Sequence, residues 1–232
     1  MKNIYNYNNL ILSNSTMKQL NDKLDNFTNP IYNEKMKSLG FKNNLHLHFH
    51  GIPGSGKTSI AMAIANKLDK DIILVDKLNP VDFFDNFDLF KNKFYVFLFD
   101  DIDFWDLKDR QITNKEGITK SNPYLMKLME LLNGNTFNNS IMIFTSNTDN
   151  FNEALFRDGR IHLRLDINGI DDISTYDKFF DYIYNDKKQI WKNKINLDKL
   201  LNKKLSLAKI SEIAKNNIFD KINFIKELKK LI

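Results

Sequence analysis

Gly51-Ile52-Pro53-Gly54-Ser55-Gly56-Lys57-Thr58 meets every fixed position of a G-x-x-x-x-G-K-[ST] loop. Glycines at these positions let successive backbone N–H groups turn inward around an anion, because glycine enters the left-handed region at little steric cost. Lys57 is then placed to reach β- and γ-phosphate oxygens, and the Thr58 hydroxyl to ligate Mg²⁺. The expected binding set is Gly51, Pro53, Gly54, Ser55, Gly56, Lys57, Thr58 and Ser59, holding a nucleoside triphosphate with Mg²⁺.

Further along, Phe94-Tyr95-Val96-Phe97-Leu98-Phe99 runs into Asp100-Asp101-Ile102-Asp103. A carboxylate at the end of an apolar strand suits a metal, usually through water, so Asp100 joins Thr58 as a metal-holding group. Asp101 is the expected general base for an attacking water. Ile141-Met142-Ile143-Phe144-Thr145 leads to Asn147, whose amide would position the same water, a turn-forming Asn being the alternative.

Four arginines occur in the chain, and three of them, Arg157, Arg160 and Arg164, share one short stretch. In a chain that otherwise uses lysine, clustered guanidinium groups point to planar recognition of phosphate oxygens. An ordinary charged surface turn is the other reading.

Elements that would position these groups follow from periodicity. Leu45–Phe49 before the loop reads as a strand and Ser59–Leu68 after it as a helix, the setting this loop requires. Ser15–Phe27 carries Met17, Leu20, Leu24 and Phe27 at helical spacing, and Tyr32–Leu39 reads as a second helix. Ile72–Asp76, Phe94–Phe99, Ile141–Thr145 and Ile161–Ile167 read as strands. Val81–Phe90 and Pro123–Leu132 read as helices, the latter with Pro at its start and Gly134 past its end. Unalternating apolar strands interleaved with helices predict an α/β fold, a parallel sheet covered on both faces. From about residue 171 the pattern is helical only. Ile173, Tyr176, Phe179 and Phe180 share one face, Leu207, Ile210, Ile213 and Ala214 another, and Ile222, Ile225, Leu228 and Leu231 a third behind an Asp220 cap. The expected division is a helical lead-in over 1–40, an α/β domain over 41–170 and a small helical domain over 171–232.

With 42% apolar residues the 232-residue chain can build a sizeable core, and its lack of cysteine excludes disulfides and thiolate metal sites. Neither a signal peptide nor a membrane span is read, so the expectation is a soluble, cytoplasmic protein. The net charge of +5 comes from dispersed lysines in an Asn-, Lys- and Ile-rich chain, a composition AT-rich codons produce; nucleic acid is not favoured. His46, His48 and His50 alternate on one strand face, read as a satisfied face in preference to a metal site. Trp105 is read either as pore-facing or as packed against the sheet edge.

The order of phosphate loop, acid pair, strand-end Asn and paired arginines resembles the AAA family of ring ATPases over nearly the whole chain. The likeness extends to the branch of mitochondrial inner-membrane ATPases that translocate folded Rieske iron–sulfur protein, through Leu131-Leu132-Asn133-Gly134, Phe144-Thr145-Ser146-Asn147, Ala154-Leu155-Phe156-Arg157-Asp158-Gly159-Arg160 and Leu205-Ser206-Leu207-Ala208. The resemblance implies a P-loop sheet followed by a helical lid, and ATP hydrolysis by a homo-oligomeric ring, hexameric or heptameric, with Arg157 and Arg160 reaching a neighbour's site. It also implies work on a protein substrate. The chain departs from the family at Asp101, where Glu is usual, at Asp158, where Pro is usual, and at Asp76-Lys77-Leu78-Asn79-Pro80, which replaces the aromatic loop that grips threaded polypeptide. A clamp-loader or initiator-like ATPase and a weakly hydrolysing ATP-dependent scaffold stay open as alternatives.

Overall fold

The computed structural model describes residues 5–75, 80–90, 93–105, 107–109, 111–113, 119–133, 137, 139–149, 151–186 and 188–232. Arg110, Gly134 and the stretch Asp76–Asn79 lie outside them. Helix α1 (Asn14–Thr28) starts where the Ser13 side chain accepts the Thr16 N–H, and buries Leu20, Leu24 and Phe27 on one stripe. Helix α2 (Pro30–Ser38) buries none of its residues. Strand β1 (Asn44–His50) feeds the phosphate loop, and helix α3 (Lys57–Lys67) leaves it. Then follow β2 (Ile72–Val75), α4 (Pro80–Asn86), β3 (Val96–Phe99), the short strands β4 (Gln111–Thr113) and β5 (Thr119–Ser121), α5 (Pro123–Leu132), β6 (Ser140–Ser146) and β7 (Leu163–Asp166).

Five strands form one parallel sheet in the order β2-β3-β6-β1-β7. Side chains alternate between its faces. On β3, Val96 and Leu98 join a core with Leu47, Phe49, α1 and α3, whereas Phe97 and Phe99 join Met142, Phe144, Trp105 and α5 on the other face. Every residue of β3 is buried, which is why the strand reads as an unbroken apolar run. Helix α3 is largely alanine and isoleucine on its packed side, so it lies close against the sheet and fixes the loop at its start.

Helices α6 (Ile173–Tyr184), α7 (Leu197–Lys203), α8 (Leu207–Asn216) and α9 (Lys221–Lys230) surround their own core of Tyr176, Phe179, Phe180, Trp191, Phe224 and Leu228. Phe180 and Trp191 stack with centroids 4.5 Å apart. Asp220 caps α9 as expected, accepting from Asn223 N–H at 2.9 Å.

The sequence reading differs from the fold in four places. The helix expected over 81–90 ends at Asn86 and tightens into a 3-10 turn, Phe87–Phe90. The β4–β5 pair is antiparallel and too short and polar for a periodicity signal. Helix α7 was not expected; only Leu200 is buried on it, so no stripe announces it. Ile222, placed on the buried face of α9, is exposed, and Phe224 is buried instead. No helix among the described residues is long and apolar enough to cross a membrane.

Candidate functional site

The three strands that matter end side by side. In the sheet β6 lies between β1 and β3, with His50 paired to Ser146 and Phe99 to Phe144. The residues just past those ends are therefore Gly51, Asn147 and Asp100. Gly56 sits at the N-cap of α3 with φ 100°, a left-handed conformation that opens the first helical turn toward the loop.

A continuous hydrogen-bonded set joins the groups singled out in the sequence. Lys57 Nζ donates to the carbonyls of Gly51 (2.8 Å) and Ile52 (3.0 Å) and to Asn147 Oδ1 (2.8 Å). Asn147 Nδ2 donates onward to Asp101 Oδ1 at 3.4 Å. Thr58 Oγ1 donates to Asp100 Oδ1 at 2.9 Å, and Thr145 Oγ1 donates to the same oxygen at 2.7 Å. The Thr145 hydroxyl in turn accepts the Asp101 N–H at 2.8 Å. Asp101 has φ 50°, a left-handed conformation that Asp adopts more readily than longer side chains, which accounts physically for Asp at this strand end. Burial pulls the Lys57 ammonium below its ordinary pKa, while the carboxylates of Asp101, Asp103 and Asp100 pull it upward.

Residues present here fit a triphosphate and its metal. Ser55 Oγ is buried without a hydrogen-bond partner, so the loop holds a hydroxyl that its own chain does not satisfy. Thr58 and Asp100 present hard oxygen donors within hydrogen-bonding reach of each other, the donor type Mg²⁺ takes. Lys57, Thr58, Asp101 and Asn147 line one side of a cleft of about 450 Å³, and Leu207 and Ala208 of α8 line the other. The helical region is held there by Ala208 N–H donating to Gly54 O at 2.9 Å and by Ile170 N–H donating to Leu205 O at 2.8 Å. Leu207 also borders a second cleft of about 280 Å³, lined by Ile11, Leu12, Ser55 and Ile170.

The arginines do not cluster: the Arg164 partner Asp149 stands 3.5 Å from His50 near the end of β1, whereas the Arg160 backbone lies near its start. Arg160 O contacts His46 Nδ1 at 2.6 Å, and His162 N–H donates to His46 O at 2.9 Å. His46 precedes Gly51 by five residues of extended chain, roughly 17 Å at the ordinary strand rise, farther than the Arg160 side chain extends. The three guanidinium groups differ in their surroundings. Arg164 pairs with Asp149 and lies over the Phe156 ring. Arg160 donates to Asn133 Oδ1 at 3.1 Å and to the Ala154 carbonyl. Arg157 is exposed.

Burial lowers the His46 pKa to about 4, helped by His162, and the His48 pKa to about 3, helped by Arg164. His48 Nε2 meets Ser146 Oγ at 2.8 Å, while His46 Nε2 and His48 Nδ1 have no partner, so the strand face is satisfied on one nitrogen of each ring. Among the described residues no group of His, Cys, Asp or Glu is arranged to hold a metal by itself. Trp105 is buried edge-on to Phe84 and Phe99 and takes the packed reading.

Sequence reasoning passed over Thr145, although a hydroxyl inside an otherwise apolar run is a visible signal. It also gave no role to Ile11 and Leu12, an apolar pair directly ahead of the α1 cap. Residues 47–168 match the family model described as ATPase family associated with various cellular activities (AAA). No curated protein matches the chain.

Proposed function

The chain belongs to the AAA family of ATPases, and we propose that it hydrolyses ATP at sites completed between neighbouring copies of a homo-oligomeric ring. One observation carries this reading. Lys57, Thr58, Asp100, Asp101 and Asn147 converge within hydrogen-bonding distance, while Arg157 is exposed and is not among the residues that line their cleft.

In this reading the phosphate loop takes the β- and γ-phosphates, with Lys57 leaving its backbone carbonyls for phosphate oxygens. The second cleft takes the base, with Ile11, Leu12, Ile170 and Leu207 packing on the ring and polar groups such as Ser13, Thr16 and Asn168 meeting its edge. Thr58 and Asp100 would hold Mg²⁺, which would supply charge neutralisation at the phosphates. Asp101 accepts a proton from the attacking water, and Asn147 orients that water from beside it. Arg157 of an adjacent copy stabilises charge on the γ-phosphoryl group; Arg160, tied to Asn133 and Ala154, braces the loop that presents it. Leu205–Ala208, docked on the phosphate loop through Ala208, form part of a lid in this reading, and the likeness to the Rieske-translocase branch, which rests on sequence, makes a protein the substrate.

Mg²⁺-dependent phosphate release is the test. Release should stop in Asp101→Asn with ATP binding retained, and activity per chain should rise with protein concentration. Constant specific activity across a dilution series of a monomeric protein refutes the shared site.

A further inference from the structure

We propose that Asp103 is a positioning residue for the hydrolytic step: its carboxylate clamps the turn after β6 and so holds the Asn147 amide between Lys57 and Asp101. The inference rests on the ATPase reading above and extends it to a group that this reading does not use.

Asp103 lies in the 3-10 turn Ile102–Trp105 that follows the acid pair. Its neighbours are anchored, since Ile102 and Trp105 are both buried and Trp105 packs on Phe99. The carboxylate is thus delivered from a fixed turn. Both of its oxygens bind one segment of chain. Oδ2 accepts from Asn147 N–H at 2.7 Å; Oδ1 accepts from Thr148 N–H at 2.9 Å and from Thr148 Oγ1 at 2.6 Å. Three charge-assisted bonds on two consecutive residues fix both the position and the tilt of that backbone. The Asn147 side chain then makes the two bonds that matter to the site, Oδ1 accepting from Lys57 and Nδ2 donating to Asp101.

Asp103 is not among the residues that line the cleft, so it acts through Asn147 and not on the nucleotide. Two simpler roles make different predictions. As a counter-charge for Lys57 it would set ATP affinity, and as a staple between β3 and β6 it would set only thermal stability.

The full chain, its variants and Mg·ATP separate these roles. Asp103→Ala should lower kcat on the order of 10²-fold, the scale of a misplaced catalytic group, with the ATP KM changed by less than about threefold. Asp103→Asn, which keeps the shape and one acceptor oxygen, should fall between parent and Asp103→Ala, and serves if the alanine variant does not fold. Asn147→Ala should lose a similar factor, and adding Asp103→Ala to it should cost little more, because both remove one coupled unit. Hydrogen exchange at the Asn147 and Thr148 amides should accelerate in Asp103→Ala. Additive losses in the double variant, a raised KM with kcat intact, or unchanged amide exchange would each overturn the proposal. A parent chain that releases no phosphate defeats the ATPase reading itself, whereas a parent that turns over beside an equally active Asp103→Ala defeats the clamp alone.

Discussion

Mixing two inactive variants asks directly whether the arginine loop serves its own chain or another. Lys57→Ala removes the ammonium that bonds to Gly51, Ile52 and Asn147, and with it the phosphate grip. Arg157→Ala removes an exposed guanidinium that is not among the groups lining the cleft. In the reading proposed above Arg157 serves the site of a neighbouring copy, so its contribution is made in trans. Each variant alone should then lose about 10³-fold or more in turnover, the scale of an arginine finger. In an equimolar mixture that assembles at random, a site works when its own chain carries Lys57 and its neighbour carries Arg157. Each condition holds for half the chains, so roughly a quarter of interfaces recover. Phosphate release from mixed and separate variants is the assay, with ATP affinity of Arg157→Ala expected to match the parent. Activity of the mixture no greater than the sum of the separate variants, under conditions where the parent is active, would refute the reasoning.

Other outcomes follow from packing and burial. A Cβ added at Gly51, where φ is 145°, would stand 2.1 Å from the Ile167 carbonyl oxygen. The exits of β1 and β7 must part to relieve it, straining the Ile167 N–H to His50 O bond. Gly51→Ala should therefore cost about 3 kcal/mol, combining left-handed strain with one hydrogen bond, and abolish ATP binding. Urea unfolding and nucleotide titration check both, and an unshifted midpoint would contradict the close approach. His46 and His48 are neutral in the fold, their pKa values lowered from 6.5 to about 4 and about 3. Unfolded, they take protons first as pH drops. Their contribution is complete above the ordinary histidine value and declines below it, by on the order of 2 kcal/mol each near pH 4.5. Thermal melts should show a steeper acid loss in the parent than in His46→Gln/His48→Gln, and equal slopes would count against buried neutral imidazoles.

Local chemistry made much of this protein readable from its residues in order. The phosphate loop declares itself because its glycines, lysine and threonine act through backbone positions a few residues apart. Buried strands such as Val96–Phe99 declare themselves because both of their faces must be apolar. The helix cap at Asp220 is visible because a capping side chain serves an N–H only three residues on, here that of Asn223. Tertiary structure alone decided which distant segments meet. Strand β6 is inserted between β1 and β3, and that order, set by the crossover connections and not by any local period, brings Asn147 between Lys57 and Asp101. The same holds for Ala208 against Gly54 and for Asp103 against the turn after β6. Three arginines look alike in sequence, yet Arg164 pairs with Asp149, Arg160 is bonded to Asn133, and Arg157 stands exposed. Spacing records what a residue offers its neighbours along the chain, while sheet order and docking determine what stands opposite it.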